Sequence, residues 1–312
     1  NIPGSPLMIR PHLFPAPLLL LALLFSLLPG REAVAGVPVR SALLLNMSTG
    51  QILYQKSPDT QIPPASLTKV MTSFLVHDAI QAGRLSFGSK VRVPSSAAYA
   101  GGSTMHLRPG ERITVQNLLE GMLIASGNDA ATALAYRVSG NPRAFVGAMN
   151  AKASAIGMTS TVFRNPTGLP AAGQTTTARD MMRLALAYMS SYPGALRIHS
   201  QSFAQHGRRT LTTTNPFLGE KGVDGLKTGF TVSSGYNIIV TAKRGGTRLL
   251  IIVLGGRSAG RRNMAARELL DAGFRHPSSA EAVRREVDGS GVMNLRHGTY
   301  QKHRSRHRRS RR

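Results

Sequence analysis

The chain has 312 residues, 42% of them hydrophobic and 17% charged, enough for one large domain or two small ones and too apolar for wholesale disorder. It holds no cysteine, which excludes a disulfide framework and a thiolate metal site. Its formal net charge of +25 favours an acidic partner: anionic lipid, acidic wall polymer or nucleic acid.

Residues 1–35 read as an export signal. Arg10 supplies a basic start, and Met8 is a candidate initiator. Leu13 to Leu28 is mostly apolar, and Ala33-Val34-Ala35 forms a small-x-small cleavage site, with Gly36 as the mature start. The apolar run is short for a membrane span, so an uncleaved anchor is the lesser alternative. Export without cysteine suits a bacterial periplasm or the wall side of the cytoplasmic membrane. No nucleic-acid partner is expected, because the chain is exported and aromatics at 5% leave few stacking platforms. Arg10, Arg31 and Glu32 leave the leader at +1 and residues 277–312 carry +7, so residues 36–276 hold the remaining +17.

The next segment, Gly36 to Lys56, has two apolar runs around the turn cluster Ser48-Thr49-Gly50, a predicted hairpin. Pro63 and Pro64 then set the approach to a helix. Leu67, Val70, Met71, Phe74, Leu75 and Ile80 recur mostly at three- and four-residue steps, which predicts an amphipathic helix with Ser66 at its start. Lys69 lies one turn on, on the same face. Two readings suit this pair: an N-cap with a solvated charge, or a hydroxyl nucleophile with its base. Residues 86–113 are rich in Gly, Ser and Pro and read as loops and short strands. Two helices follow, broken near Ser126-Gly127-Asn128, with Thr114 and Asn117 as a capping arrangement. A helix ending at Gly157 and another closed by Pro193 come next. The period then changes. Asn237 to Lys243 and Arg248 to Leu254 are strand-like and joined by the turn Arg244-Gly245-Gly246-Thr247, and a last helix ends near Phe274. Strands from both ends of the chain around a helical middle imply an α/β (α+β) fold. From Pro277 the core-forming pattern stops, and seven Lys/Arg crowd Lys302 to Arg312, so residues 277–312 read as a basic, disordered tail. His303 and His307 are the nearest thing to a metal pair. Neither metal nor cofactor is expected.

Three motifs stand in order: Ser66-x-x-Lys69, Ser126-Gly127-Asn128 and Lys227-Thr228-Gly229. Each is weak alone; in this order and at these positions they resemble the active-site serine penicillin-recognising enzymes. Asp129-Ala130 after the second motif, "PPASLTKVMT", "FRNPTGLP" with "TTARD", and "DGLKTGFT…GYN" narrow the resemblance to the low-molecular-mass penicillin-binding proteins that act as D-alanyl-D-alanine carboxypeptidases. It covers about residues 37–275. The resemblance implies an antiparallel sheet of about five strands flanked by helices with a helical subdomain inserted, as in β-lactamases and transpeptidases. It implies a catalytic domain at 36–276, peptidoglycan stem peptides as substrate and β-lactams as covalent inhibitors.

Acyl transfer needs an activated hydroxyl, so Ser66 is assigned as nucleophile and Lys69 as general base. A lysine serves as base only where burial or nearby positive charge favours its neutral form, and Lys227 is a candidate for that charge. By resemblance, Ser126 relays a proton to the leaving amine, and Asn128 holds Lys69 and a substrate amide. Lys227 and Thr228 meet the substrate carboxylate, with Arg262 as a second cation. Gly229 allows close approach of the substrate backbone, and the backbone N–H groups of Ser66 and Phe230 form the oxyanion hole. Phe230 departs from the histidine of many relatives, which leaves the backbone donor intact. Asn165, Gly168 and Asp180 belong to the loop beneath the site, with Asp180 as its orienter. Three alternatives carry their own signals. A DD-endopeptidase fits because some short relatives lack a second domain and only about 36 residues follow the last predicted helix. A β-lactamase is disfavoured, since no glutamate lies between Asp129 and Asp180 to position a deacylating water. A non-catalytic wall-binding protein is disfavoured by the intact Ser66, Lys69 and Lys227. The basic tail implies electrostatic contact with anionic membrane or wall polymer.

Overall fold

The computed structural model describes residues 36–296. The leader, the His303/His307 pair and the polybasic end lie outside the described residues. In chain order the strands are β1 (Ser41–Asn46), β2 (Gln51–Lys56), β3 (Lys90–Arg92), β4 (Arg112–Thr114), β5 (Phe203–His206), β6 (Arg209–Thr212), β7 (Val223–Thr231), β8 (Gly235–Arg244) and β9 (Thr247–Gly256). The helices are α1 (Thr68–Gln81), α2 (Ser95–Ala98), α3 (Val115–Leu123), α4 (Asn128–Ser139), α5 (Pro142–Ala155), α6 (Ala178–Ser191), α7 (Leu196–His199), α8 (Ala259–Arg275) and α9 (Ala280–Arg296).

Five strands form one antiparallel sheet in the order β2-β1-β9-β8-β7. β1 therefore sits between its hairpin partner and a strand from the far end of the chain, with Ser41 opposite Leu254 and Asn46 opposite Leu249. Successive side chains alternate between the two faces. Leu43, Leu45, Ile239, Leu250 and Ile252 pack with Val70, Met71 and Phe74 of α1 and Met181 and Leu184 of α6. Leu44, Val240, Leu249, Ile251 and Val253 pack with Leu269 and Leu270 of α8. Helices on both faces explain why β1, β8 and β9 read as apolar runs rather than alternating patterns. A further core joins α3 and α4 to the β3–β4 and β5–β6 hairpins through Leu118, Leu119, Leu134, Val91, Ile113 and Leu211. This is the inserted helical region, and it bounds one side of the functional residues.

Two expectations change. α1 is not amphipathic: every residue from Thr68 to His77 is buried. The helix is clamped between two cores, with Val70, Met71 and Phe74 in one and Val76 and Ala79 in the other, so no face is left for water. The tail also begins later than Pro277. α9 covers 280–296, and Val283 and Val287 join the core beneath α8 and β2. Two apolar residues four apart were too faint a stripe to read. Glu286 takes hydrogen bonds from Arg275 and His276, and Tyr54 Oη donates to Asp288 at 3.1 Å, so ion pairing supports what so short a stripe begins. Among the described residues no helix is long and apolar enough to cross a membrane.

Candidate active site

Ser66 lies in a 3-10 turn, Ala65–Leu67, immediately before α1. The N-cap of α1 is Leu67, with no side-chain cap bond, so Ser66 is not a cap. Its Oγ instead lies 2.9 Å from Lys69 Nζ, within hydrogen-bond reach. Ala65 is held at φ 48°, a left-handed conformation unusual outside glycine, and Ser126 at φ 64° is another. Such strain persists only where surrounding structure enforces it, and it gathers at functional sites.

Lys69 is fully buried. Besides Ser66, Nζ donates to Asn128 Oδ1 at 2.6 Å and to the Thr167 carbonyl at 2.7 Å. Both oxygens can only accept. An uncharged amine has two protons, which satisfy them, and one lone pair left facing the Ser66 hydroxyl. Burial pushes the Lys69 pKa well below the ordinary lysine value, Lys227 pushes it further, and Asp129 opposes both. Asp129 is itself occupied by the backbone N–H groups of Met105, Leu107 and Ala130. Asn128 stands at the start of α4, and its Nδ2 donates to the Gly101 carbonyl at 2.6 Å, which turns Oδ1 towards Lys69. Ser126 is buried two residues earlier, at the break between α3 and α4.

The Thr167 carbonyl reaches Lys69 because Asn165 Oδ1 accepts from Thr167 N, Thr167 Oγ1 and Gly168 N, folding the loop tightly. Gly168, at φ 83°, lies so close to the turn before α1 that an added Cβ would stand 1.7 Å from the Ala65 carbonyl oxygen. Asp180 orients the start of this segment, accepting from Ser160 N and Thr161 Oγ1. It is buried at the N-terminus of α6, not an exposed helix acid.

β7 forms the opposite wall. A Cβ on Gly229 would lie 3.0 Å from Ser66 N, so the strand passes against the backbone of Ser66. Lys227 is buried, its Nζ 3.2 Å from the Thr228 carbonyl and 3.5 Å from Thr214 Oγ1. Burial lowers its pKa to about 7, with Arg262 contributing. Thr228 Oγ1 donates to Thr214 Oγ1 at 2.6 Å. Of the crowded arginines, Arg257 and Arg261 are exposed, whereas Arg262 is buried and its Nη1 donates to the Asn237 carbonyl at 3.3 Å. Among the described residues no carboxylate hydrogen-bonds to Lys69, Lys227 or Arg262. With Lys69 neutral, Lys227 and Arg262 are left as buried cations without a counter-ion, and they invite an anion. Phe230 is half exposed, its ring 4.2 Å from that of Tyr236.

Thus Ser66, Lys69 and Asn128 are in direct contact, Gly229 abuts them, Lys227 and Thr228 lie on the adjoining sheet edge, and Arg262 lies in the first turn of α8. Sequence reasoning missed the Thr167 carbonyl, which has no side-chain signature, and Thr214, which was one of three successive threonines.

The family model described as D-alanyl-D-alanine carboxypeptidase matches residues 31–258. The D-alanyl-D-alanine carboxypeptidase DacF of Bacillus subtilis is 38% identical over 245 residues, 75% of this chain and 62% of the relative. DacC of Escherichia coli is 37% identical over 247 residues, 77% and 62%. The chain thus spans less than two thirds of the length of either relative. A D-alanyl-D-alanine endopeptidase of Pseudomonas aeruginosa is 33% identical, covering 70% of this chain and 74% of that one. Among solved structures, penicillin binding protein 6B of E. coli superposes with a TM-score of 0.73 at 36% identity, over 77% of this chain and 78% of that one. Penicillin-Binding Protein D2 of Listeria monocytogenes, in its ampicillin-bound form, gives 0.70 at 33% identity, over 76% and 98%. Sheet order, contact between the three motifs and a family match across most of the described residues agree: the chain belongs to the D-alanyl-D-alanine carboxypeptidase family, peptidase family S11.

Proposed function

We propose that this chain is a serine-type D-alanyl-D-alanine carboxypeptidase that removes the terminal D-alanine of peptidoglycan stem pentapeptides, with residues 36–276 as its catalytic domain. The observation that carries the reading is the 2.9 Å contact between Ser66 Oγ and a buried Lys69 Nζ whose other partners are both acceptors. Lys69 takes the hydroxyl proton as Oγ bonds to the carbonyl carbon of the penultimate residue. The backbone N–H groups of Ser66 and Phe230 hold the resulting oxyanion. Collapse breaks the C–N bond, and the leaving D-alanine amine gains its proton through Ser126. Water then hydrolyses the ester. Lys227, Thr228 and Arg262 hold the terminal carboxylate, and Asn128 holds a substrate amide. β-Lactams acylate the same serine.

Mass spectrometry after penicillin treatment tests this. One adduct on Ser66, absent from Ser66→Ala, is expected; an unmodified protein under excess antibiotic overturns the reading. The endopeptidase reading draws on the 33% identical P. aeruginosa relative. Release of D-alanine from free pentapeptide, against cleavage of a crosslinked dimer, separates the two. The chain is read as exported, with the basic end held to anionic lipid or wall polymer at about 1 kcal/mol per basic residue near a membrane surface. A variant lacking residues 302–312 that pellets with membranes as well as the parent removes that contact.

A further inference from the structure

A cavity of about 700 Å³ opens at the C-terminal end of α1, between that helix, α3, the end of α6 and α7. None of the residues assigned to acyl transfer lines it. Its body is apolar, with Ile80, Phe87, Tyr192, Ala195 and Ile198. One wall is His77, which is 5% exposed. Three rings fix its plane: Phe87, Tyr188 and Tyr192, with centroids 5.9, 5.7 and 5.2 Å away.

The His77 tautomer follows from its partner. Nδ1 lies 2.8 Å from the Ser73 carbonyl oxygen, which can only accept, so Nδ1 carries the proton. Burial lowers the pKa of His77 and keeps the ring neutral, so Nε2 holds a lone pair. Nε2 has no hydrogen-bond partner among the described residues. Nε2 is not one of the buried polar atoms left without a partner, so it opens to the cavity, where a ligand donor can take the place of water. The volume is in the range of roughly 300–1,000 Å³ that small-molecule sites occupy, apolar with few polar anchors.

We propose that this cavity is a second binding site. It takes a small molecule with an aromatic or aliphatic body and an O–H or N–H donor directed at His77 Nε2. A carboxylate at that end is rejected, because two lone pairs would face each other. The site stands independently of the acyl-transfer assignment.

The test is titration of the full chain with 2-naphthol, followed by its fluorescence, against 2-methylnaphthalene, which has the same body without the donor. The naphthol binds at one site, roughly 2- to 10-fold tighter than the methyl compound, the worth of one neutral hydrogen bond. His77→Phe keeps a ring and erases that preference. Ser191→Trp, placed at an exposed lining position on the last residue of α6, blocks both compounds and leaves the core untouched. Ser66→Ala binds like the parent, which separates this site from the catalytic pocket. Equal affinity for the two compounds, no binding of 2-naphthol up to its solubility, or binding indifferent to Ser191→Trp overturns the proposal.

Discussion

Two hydrogen bonds from Lys69 Nζ end on oxygens that cannot donate, and its remaining position faces the Ser66 hydroxyl. That geometry lets a neutral amine receive the serine proton without any side chain moving. Lys69→Ala should slow acylation by penicillin by roughly 10²–10⁴-fold, the usual worth of positioned acid–base catalysis; the rate of adduct formation measures it. Under the proposed function Lys227 has the opposite requirement, since it must be charged to hold a carboxylate. Its pKa is about 7, depressed by burial and then by Arg262. Above that value the free enzyme loses the charge, so kcat/KM for pentapeptide should fall as pH rises through about 7. Arg262→Gln removes a like charge and should move that fall to higher pH, while also weakening binding. An alkaline limb that stays in place in Arg262→Gln counts against Lys227 as its source. Ser66, Lys69, Asn128 and Lys227 were legible in the sequence because their chemistry lies in their side chains. The Thr167 carbonyl was not, because any residue supplies one.

At the scale of elements, the loop 165–168 holds the Thr167 carbonyl against Lys69 only because Gly168 brings its backbone against Ala65. Gly168→Ala would bring a Cβ into the Ala65 carbonyl at a φ of 83°, which alanine also resists. Overpacking and backbone strain each cost about 1–3 kcal/mol, so a lowered melting temperature and slowed acylation should appear together. A variant that melts early yet acylates at the parent rate would show that the loop serves stability alone. Most helices were legible from their ends: Thr114 caps α3 through Asn117 N, and Gly157 at φ 76° follows α5. The character of α1 was not. Apolar spacing suggested one wet face, but Thr68, Thr72 and Ser73 are buried as well. Thr72 donates to the Pro166 carbonyl and Ser73 pairs with Tyr188 Oη, so these two mark internal hydrogen bonds, not solvent, while Thr68 Oγ1 is buried without a partner.

Across the whole molecule, cations buried without counter-ions oppose stability. In the unfolded chain Lys227 titrates near the ordinary value of about 10.4, against about 7 when folded. Between those values the unfolded state binds more protons, so this residue's contribution makes stability rise with pH. Lys227→Met should therefore stabilise the fold at pH 7, on the order of 1–4 kcal/mol, with the gain shrinking towards pH 10. Denaturant melts at the two pH values measure it. α9 makes the complementary contribution. Val283→Ala combined with Val287→Ala should cost roughly 2–4 kcal/mol in the same assay, since both side chains sit in the core. The mixed α/β architecture with strands from both chain ends was legible; the added helix was not, because two valines among charges carry too little period.

The pairing of Ser41 with Leu254 has a consequence for the order of synthesis. A ribosome delivers the first strand more than two hundred residues before its central neighbour exists. The nascent chain cannot close its sheet while it is being made, and long-range pairing of this kind folds slowly. A chain stopped at residue 232 would contain the serine, both lysines and the asparagine, yet would lack β8 and β9 to hold them. Such a fragment should take no penicillin at all.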